Sequence, residues 1–126
     1  MEKNIVGWLE IPVTDMDRAV KFYETLLNIK LSRISAGPLI MALFPEVKNG
    51  MGSSGSLVLN QEYYKPSTDG VLVYFTSRSD DVENELSRVE KAGGKILMPK
   101  KQISSEFGYM ALILDSEGNR IALHSG

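Results

Sequence analysis

The sequence contains no cysteine and a single histidine, His124. The absence of cysteine excludes disulfide bonds and thiolate metal sites, although it does not identify the cellular compartment. One histidine that lies two residues from the chain end supports no Ser-His-Asp triad. A phosphate-binding loop is excluded as well, because Gly50, Gly52 and Gly55 are not followed by the Lys-Ser/Thr start of a helix.

The chain also lacks an excess of charge of one sign and a long apolar run. Lysine and arginine number 14 against 16 acidic residues, so no basic stripe indicates a nucleic-acid partner. No segment approaches the ~20 apolar residues of a membrane helix, so no membrane partner is expected. The N-terminal segment reaches Glu10 before any apolar run that could serve as a signal peptide. We therefore expect one cytoplasmic domain over residues 1–126.

What the sequence does contain is an approximate internal repeat. The segment DMDRAVKFYETLLNIKL, from Asp15 to Leu31, is matched by DVENELSRVEKAGGKIL, from Asp81 to Leu97. Two similar halves imply a duplicated fold with a cleft between them, and such a cleft is a natural ligand site. The coincident positions are Asp15 with Asp81, Glu24 with Glu90, and Leu31 with Leu97.

The secondary-structure pattern is βαβββ in each half. In the first half, a strand with alternating side chains precedes a helix. The helix begins within Thr14 to Asp17, which supply a hydroxyl cap and acidic residues for the first turn. In the second half Ser79 to Asp81 cap a helix that Gly93 and Gly94 terminate. Module one spans about residues 4–60, the linker about 61–70 and module two about 71–126. The predicted strands are 5–13, 29–35, 39–44, 55–59, 71–75, 95–98, 109–114 and 120–124, and the helices run from about 14 to 27 and from about 79 to 91.

Two motifs resemble those of a known superfamily. One is V-x-D-x-x-x-A-x-x-F-Y, from Val13 to Tyr23, and the other is D-x-x-G-N, from Asp115 to Asn119, followed by a short apolar strand. In this order, within a duplicated βαβββ chain, they resemble the vicinal oxygen chelate superfamily of glyoxalase I, bleomycin-resistance proteins, extradiol dioxygenases and fosfomycin-resistance enzymes. The resemblance implies an α+β fold in which two βαβββ modules form concave mixed sheets around a cavity, with helices on the convex side.

The resemblance also implies where a metal would bind, and this chain lacks the ligands there. Trp8 and Ala122 occupy two of the four usual ligand positions, and 58–60, at a third, contains no carboxylate or imidazole. The fourth falls near Leu72 or Tyr74. A divalent metal needs several nitrogen or oxygen atoms that offer it a lone pair. The indole nitrogen carries a hydrogen and can only donate a hydrogen bond. We therefore expect no metal and no cofactor, and the metal-assisted mechanism of the superfamily lacks its cation.

Glu10 and His124 are the candidate catalytic residues. Strand alternation places Glu10 on the same side as Trp8, and His124 on the same side as Ala122. We expect a carboxylate beside indole in a partly closed cavity to act as a base, and we expect Glu10 and His124 to form either an acid–base pair or two ligands of an unusual metal site. The alternatives are that Glu10 is an ion-paired or solvated acid and that His124 is a surface residue at the chain terminus.

Three aromatic residues are candidate ligand-binding residues. Trp8, Tyr74 and Tyr109 are suited to contact a planar molecule, while packing in the core is the alternative for each. Tyr63 and Tyr64, in the linker, would close over a ligand, contact a second copy of the chain or anchor the loop. A polar segment at 100–107 is expected to be a loop, either solvated or a lid.

Two functions remain open from the sequence. The first is a metal-free small-molecule binding protein of the bleomycin-resistance type, which takes a small planar or polar metabolite between the modules. The alternative is a lyase, isomerase or dioxygenase-like enzyme with a non-standard centre at Glu10 and His124. A homodimer is expected from the resemblance and from the tyrosines of the linker. Fold alone does not decide between these functions.

Overall fold

The computed structural model describes residues 3–126, so the first two residues of the N-terminal segment lie outside the described part. It confirms the predicted α+β fold of two βαβββ modules. The elements are β1 (Leu9–Pro12), α1 (Met16–Leu27), β2 (Ser32–Ala36), β3 (Leu39–Leu43), β4 (Gly55–Leu59), β5 (Tyr74–Thr76), α2 (Val82–Ala92), β6 (Lys95–Ser104), β7 (Gly108–Leu114) and β8 (Arg120–Ser125).

Each module contributes one four-stranded mixed sheet with the same topology. The strand order is β1-β4-β3-β2 in the first sheet and β5-β8-β7-β6 in the second. The first strand of each module pairs in parallel with the last, β1 with β4 and β5 with β8, and the remaining pairs are antiparallel. The repeat in the sequence is therefore a repeat of topology.

Both helices begin at an aspartate and end at a residue with positive φ. The Asp15 side chain accepts from the Arg18 N–H at 3.0 Å, and the Asp81 side chain accepts from the Glu83 N–H at 3.0 Å. The predicted hydroxyl cap at Thr14 was wrong by one residue. A carboxylate at this position also interacts favourably with the helix dipole. The residues with positive φ that cap the C-terminal ends are Asn28 after α1 and Gly93 after α2.

Four predicted strand bounds differ from the observed bounds by three residues or more. β2, predicted from residue 29, begins at Ser32, which pairs with Leu43 at the end of β3. β1 begins at Leu9, because its neighbour β4 begins at Gly55 and offers no earlier partner; Ile5 is 100% exposed. β5 has only three residues and begins at Tyr74. β6 continues to Ser104, so most of the predicted polar loop is a strand paired with β7. Its polar residues suit an edge strand, where charge discourages pairing with other chains.

The two modules share one hydrophobic core between their helices and the helix-facing sides of their sheets. Aromatic rings connect the halves at the centre. The ring of Tyr23, on α1, lies 5.6 Å from that of Phe75, on β5, and the rings of Phe44 and Phe75 lie 5.5 Å apart. α1 and α2 also pack against each other. The faces of the sheets that carry Glu10 and His124 lie on the other side from this core.

The D-x-x-G-N turn joins module two to module one. The buried Asp115 carboxylate accepts from Tyr23 Oη at 2.6 Å and from Asn119 Nδ2 at 3.0 Å, both at Oδ2. Asn119 Nδ2 also donates to the Pro12 carbonyl at 2.9 Å, and Asn119 Oδ1 accepts from the Ser67 N–H at 3.1 Å. Burial, together with the adjacent Asp115 charge, raises the pKa of Tyr23 well above its usual value. The D-x-x-G-N turn, one of the two motifs that resemble those of the superfamily, therefore acts as an inter-module joint, meaning that its hydrogen bonds connect the two modules.

Glu117, in the same turn, adds a second connection at the start of α1. Its Oε1 accepts from the backbone N–H groups of Thr14 and Asp15 at 2.8 and 2.9 Å, and Oε2 lies 2.7 Å from Arg18 Nε. Burial opposes ionisation, but the Arg18 guanidinium and these N–H donors lower the pKa of Glu117 to about 2. Glu117 therefore keeps its charge in all but strongly acidic solution and holds the two modules together through α1.

Candidate functional site

The sheet face opposite the core carries three of the five predicted site residues. Glu10 pairs with Ser56, and its neighbour Ile11 is buried in the core, so Glu10 points to the other face. In the second sheet Tyr74 pairs with Ala122, and His124 pairs with Thr76 and Met110. Phe75, which alternates with Tyr74, belongs to the core side. Glu10, Tyr74 and His124 therefore lie on the core-distal faces of their sheets.

Glu10 contacts the linker on this face. Tyr64 Oη donates to Glu10 Oε1 at 2.7 Å, and this hydrogen bond, more than burial, raises the pKa of Tyr64 above its usual value. The next side chain across the sheet is Ser56, which is fully buried and whose Oγ has no partner among residues 3–126. Glu10 is thus a half-buried carboxylate that is hydrogen-bonded to the linker. Its partner on the adjacent strand is Ser56, which has a buried hydroxyl.

His124 and Tyr74 are brought together on the second sheet. Their ring centroids lie 6.4 Å apart at 74°, an edge-to-face arrangement. His124 Nε2 lies 2.6 Å from the Phe107 carbonyl oxygen, and Tyr74 Oη contacts Met110 Sδ at 3.8 Å. His124 is half-buried within β8 and ordered by these contacts. No hydrogen bond within residues 3–126 connects it to Glu10.

Trp8 and Tyr109 lie apart from that pair. Trp8 precedes β1 and its side chain is 46% exposed. Tyr109 alternates with Met110, which pairs with His124, so Tyr109 lies on the opposite face of the sheet. There Lys100 Nζ lies 4.6 Å from the centre of the Tyr109 ring. Tyr109 therefore does not share a surface with Tyr74, contrary to the sequence-based expectation.

Two of the positions at which the resemblance places metal ligands carry side chains that do not fit a metal ion. Ala122 is fully buried and has no donor atom, and the indole of Trp8 offers only an N–H. Within residues 3–126, no three histidine, aspartate or glutamate side chains lie close enough together to hold a metal. A divalent ion needs several such donors, and Trp8 and Ala122 supply none of them.

A cavity of about 440 Å³ lies between the modules. From module one its wall includes Leu9, Leu27 and Phe44, together with the loop that leads into β4; from module two it includes Phe75 and the buried Glu85. Of the five predicted site residues, Tyr74 contributes to this wall and Trp8, Glu10, Tyr109 and His124 do not. The inter-module space thus lies beside the shared core and apart from the sheet face that carries Glu10.

Glu85, on α2, is a cavity residue that the sequence reasoning missed. Its side chain is 3% exposed. Oε2 accepts from Ser79 Oγ at 3.2 Å and lies 3.5 Å from an Arg88 nitrogen, whereas Oε1 has no partner among the described residues. A signal was available, because Glu85 follows Val82 by three residues and thus falls within the buried stripe of α2. It resembled an ordinary acidic residue in the first turn of a helix, where such residues are usually solvated.

Neither described helix has the length and apolarity to cross a membrane.

The model of the Glyoxalase/Bleomycin resistance protein/Dioxygenase superfamily matches residues 5–123. No curated protein is similar enough in sequence to match the chain.

Solved structures share the fold at low sequence identity. A glyoxylase/bleomycin resistance protein/dioxygenase domain from Frankia sp. EAN1pec superposes with a TM-score of 0.75 at 19% identity, over 99% of each chain. A glyoxalase/bleomycin resistance protein from Albidiferax ferrireducens T118 gives 0.71 at 16%, over 98% of this chain and 100% of that one. Glyoxalase I from Zea mays gives 0.67 at 21%; the match covers 94% of this chain and 44% of the maize chain, less than half its length.

Proposed function

We propose that the chain, which belongs to the Glyoxalase/Bleomycin resistance protein/Dioxygenase superfamily, binds a small planar or polar organic molecule between its two modules. In this proposal the molecule binds without the metal that is usual in the superfamily. The observation that carries the proposal is the cavity of about 440 Å³ bounded by both modules. Small-molecule sites are typically clefts of roughly 300–1,000 Å³ with mostly apolar walls and a few polar groups.

The walls of the cavity suit an aromatic or similarly flat ligand. Leu27, Phe44 and Phe75 contribute apolar side chains to the wall, and aromatic rings supply large contact areas for flat molecules. Polar side chains, including those of Ser54, Thr76, Arg78 and Glu85, also belong to the wall and are available to orient a ligand. This composition supports binding of a molecule with an apolar body and several polar groups.

Two further expectations remain predictions. The alternative function is a lyase, isomerase or dioxygenase-like enzyme centred on Glu10 and His124, and it requires both side chains to reach one substrate. Glu10 is hydrogen-bonded to Tyr64, whereas His124 lies against the Phe107 carbonyl. A substrate would have to replace these contacts or bind beside them. The cytoplasmic location rests on the sequence alone.

Titration with small aromatic molecules, followed by amide chemical shifts, tests the site. We expect saturable shifts at Leu27, Phe75 and Glu85, in the cavity wall, and a rise in melting temperature with ligand concentration, because a ligand that binds only the folded state stabilises it by mass action. Shifts centred on Glu10, Ser56 and His124 would instead favour the enzyme hypothesis. An absence of saturable shifts throughout the panel would contradict the cavity proposal.

We also propose that the protein is a homodimer. Large apolar side chains remain on the surface, including Trp8 (46% exposed), Tyr74 (50%) and Ile34 (43%), and a second copy could cover them. The two linker tyrosines differ in their contacts. Tyr63 is exposed, whereas Tyr64 donates a hydrogen bond to Glu10. Light scattering at micromolar concentration should give twice the mass of a 14.0 kDa chain. A mass of one chain at that concentration would contradict the dimer.

A further inference from the structure

We infer that the inter-module cavity binds a flat aromatic carboxylate, and that the Arg78 guanidinium binds the carboxylate group of this ligand. The inference rests on the proposed binding function and specifies the class of ligand. Cinnamate, in which a planar two-carbon link joins a benzene ring to a carboxylate, is a simple probe of this class.

Arg78 is a cavity-wall residue whose positive charge is accessible. It lies in the turn after β5, which the Asp80 N–H closes by donating to the Ser77 carbonyl at 3.2 Å. The residue is exposed, and it takes part in none of the ion pairs or side-chain hydrogen bonds within residues 3–126. Because a long, unattached side chain keeps its charged group in solvent, this guanidinium is free to turn towards a molecule in the cavity.

The charges of the wall favour an anionic ligand. Arg78 and Glu85 are the two charged residues that the described part of the chain contributes to the wall. The Glu85 side chain is 3% exposed, and its Oε2 lies 3.5 Å from a nitrogen of Arg88, so this carboxylate already has a cation beside it. Asp80, in the same turn as Arg78, lies outside the wall. The charge that a ligand meets is therefore the positive charge of Arg78.

Two residues of β5 suit the remainder of such a ligand. Tyr74 and Thr76 both belong to the wall, and both are exposed. Because they alternate with Phe75, they lie on the same side of the strand, about 7 Å apart along it. The Tyr74 ring offers a surface for an aromatic ligand, and the Thr76 hydroxyl has no hydrogen-bond partner within residues 3–126. A ligand whose ring contacts Tyr74 would thus place its carboxylate near Thr76 and Arg78.

A matched pair of ligands isolates the negative charge. Cinnamate and cinnamamide have nearly the same shape, but only cinnamate is an anion at pH 7. In titrations followed by amide shifts in the cavity wall, we expect wild-type protein to bind cinnamate roughly fivefold more tightly, since a guanidinium binds a carboxylate through charge-assisted hydrogen bonds but remains partly solvated. In about 1 M salt, where screening acts within about 3 Å, the preference should fall to roughly twofold.

Substitution of Arg78 identifies the group that reads this charge. Arg78→Gln removes the guanidinium and should reduce the preference to about onefold, whereas Arg78→Lys keeps the charge without the planar pair of donors and should leave about twofold to threefold. Because Arg78 has no ion pair to lose, both variants should keep the wild-type melting temperature. Arg33→Gln is the control: Arg33 is also exposed but lies outside the cavity wall, so the net charge changes equally and the fivefold preference should remain.

Three results would overturn the inference while the binding function stands. Wild-type protein could bind cinnamate and cinnamamide equally in the cavity, Arg78→Gln could keep the fivefold preference, or neutral aromatic molecules could bind in the cavity while cinnamate does not. If no aromatic molecule of the panel, charged or neutral, binds in the cavity, the proposed function itself fails.

Discussion

Replacement of Asp115 by alanine is expected to lower the free energy of unfolding by about 4–5 kcal/mol, a large part of the ~5–15 kcal/mol that stabilises a typical domain. Asp115 Oδ2 accepts from Tyr23 Oη and Asn119 Nδ2, and Oδ1 accepts from the N–H groups of Glu117 and Asn119 at 2.9 Å each. Alanine would remove the acceptor of all four groups at a buried position, and each unsatisfied buried donor is unfavourable by roughly 1–3 kcal/mol.

Urea unfolding followed by circular dichroism measures this change. Asp69→Ala is the matched control, since Asp69 is an exposed linker aspartate, and its effect should stay within about 0.5 kcal/mol. Tyr23→Phe removes one of the four donors and should lower stability by about 1–3 kcal/mol. If Asp115→Ala lowers stability by less than about 1.5 kcal/mol, the D-x-x-G-N turn does not act as the inter-module joint.

Replacement of Gly94 by alanine is expected to lower stability by about 3 kcal/mol or more, because overpacking a rigid site forces the backbone to move. A Cβ atom at Gly94 would lie 2.5 Å from the Leu114 carbonyl oxygen and 2.6 Å from Phe22 Cε1. Phe22 is fully buried on α1, and Leu114 ends β7, so neither neighbour has free space. Gly94 thus allows the start of β6 to approach both α1 and β7 closely.

Thermal and urea unfolding of Gly94→Ala, compared with Gly7→Ala, checks this result. A Cβ atom added at Gly7 would meet no heavy atom within 4 Å, so this substitution should be nearly neutral. Adding Phe22→Leu to Gly94→Ala should not restore stability, because the contact with the Leu114 carbonyl would remain. A neutral Gly94→Ala variant would mean that β6, α1 and β7 are packed less closely at this point than the distances from Gly94 indicate.

The sequence was most informative where structure depends on neighbouring residues. Both helices follow from a buried stripe at helical spacing, an aspartate at the start and a residue suited to positive φ at the end. Strand lengths were predicted less well, because a strand extends only as far as a partner pairs with it. Residues 5–8 alternate like a strand, yet β4 provides no partner before Leu9. The polar segment after Lys100 looks like a loop, yet β7 pairs with it.

The sequence by itself determined the two βαβββ modules and their superfamily, because hydrophobic spacing, caps and turn residues act over a few positions. Tertiary structure decided where the inter-module cavity lies, and it also decided which partners the polar residues have. Glu10 contacts Tyr64, Asp115 contacts Tyr23, and Glu85 lies buried with one carboxylate oxygen that has no hydrogen-bond partner among residues 3–126. These arrangements join residues that are distant along the chain or depend on how helices and sheets pack together. Local sequence patterns therefore contain little information about them.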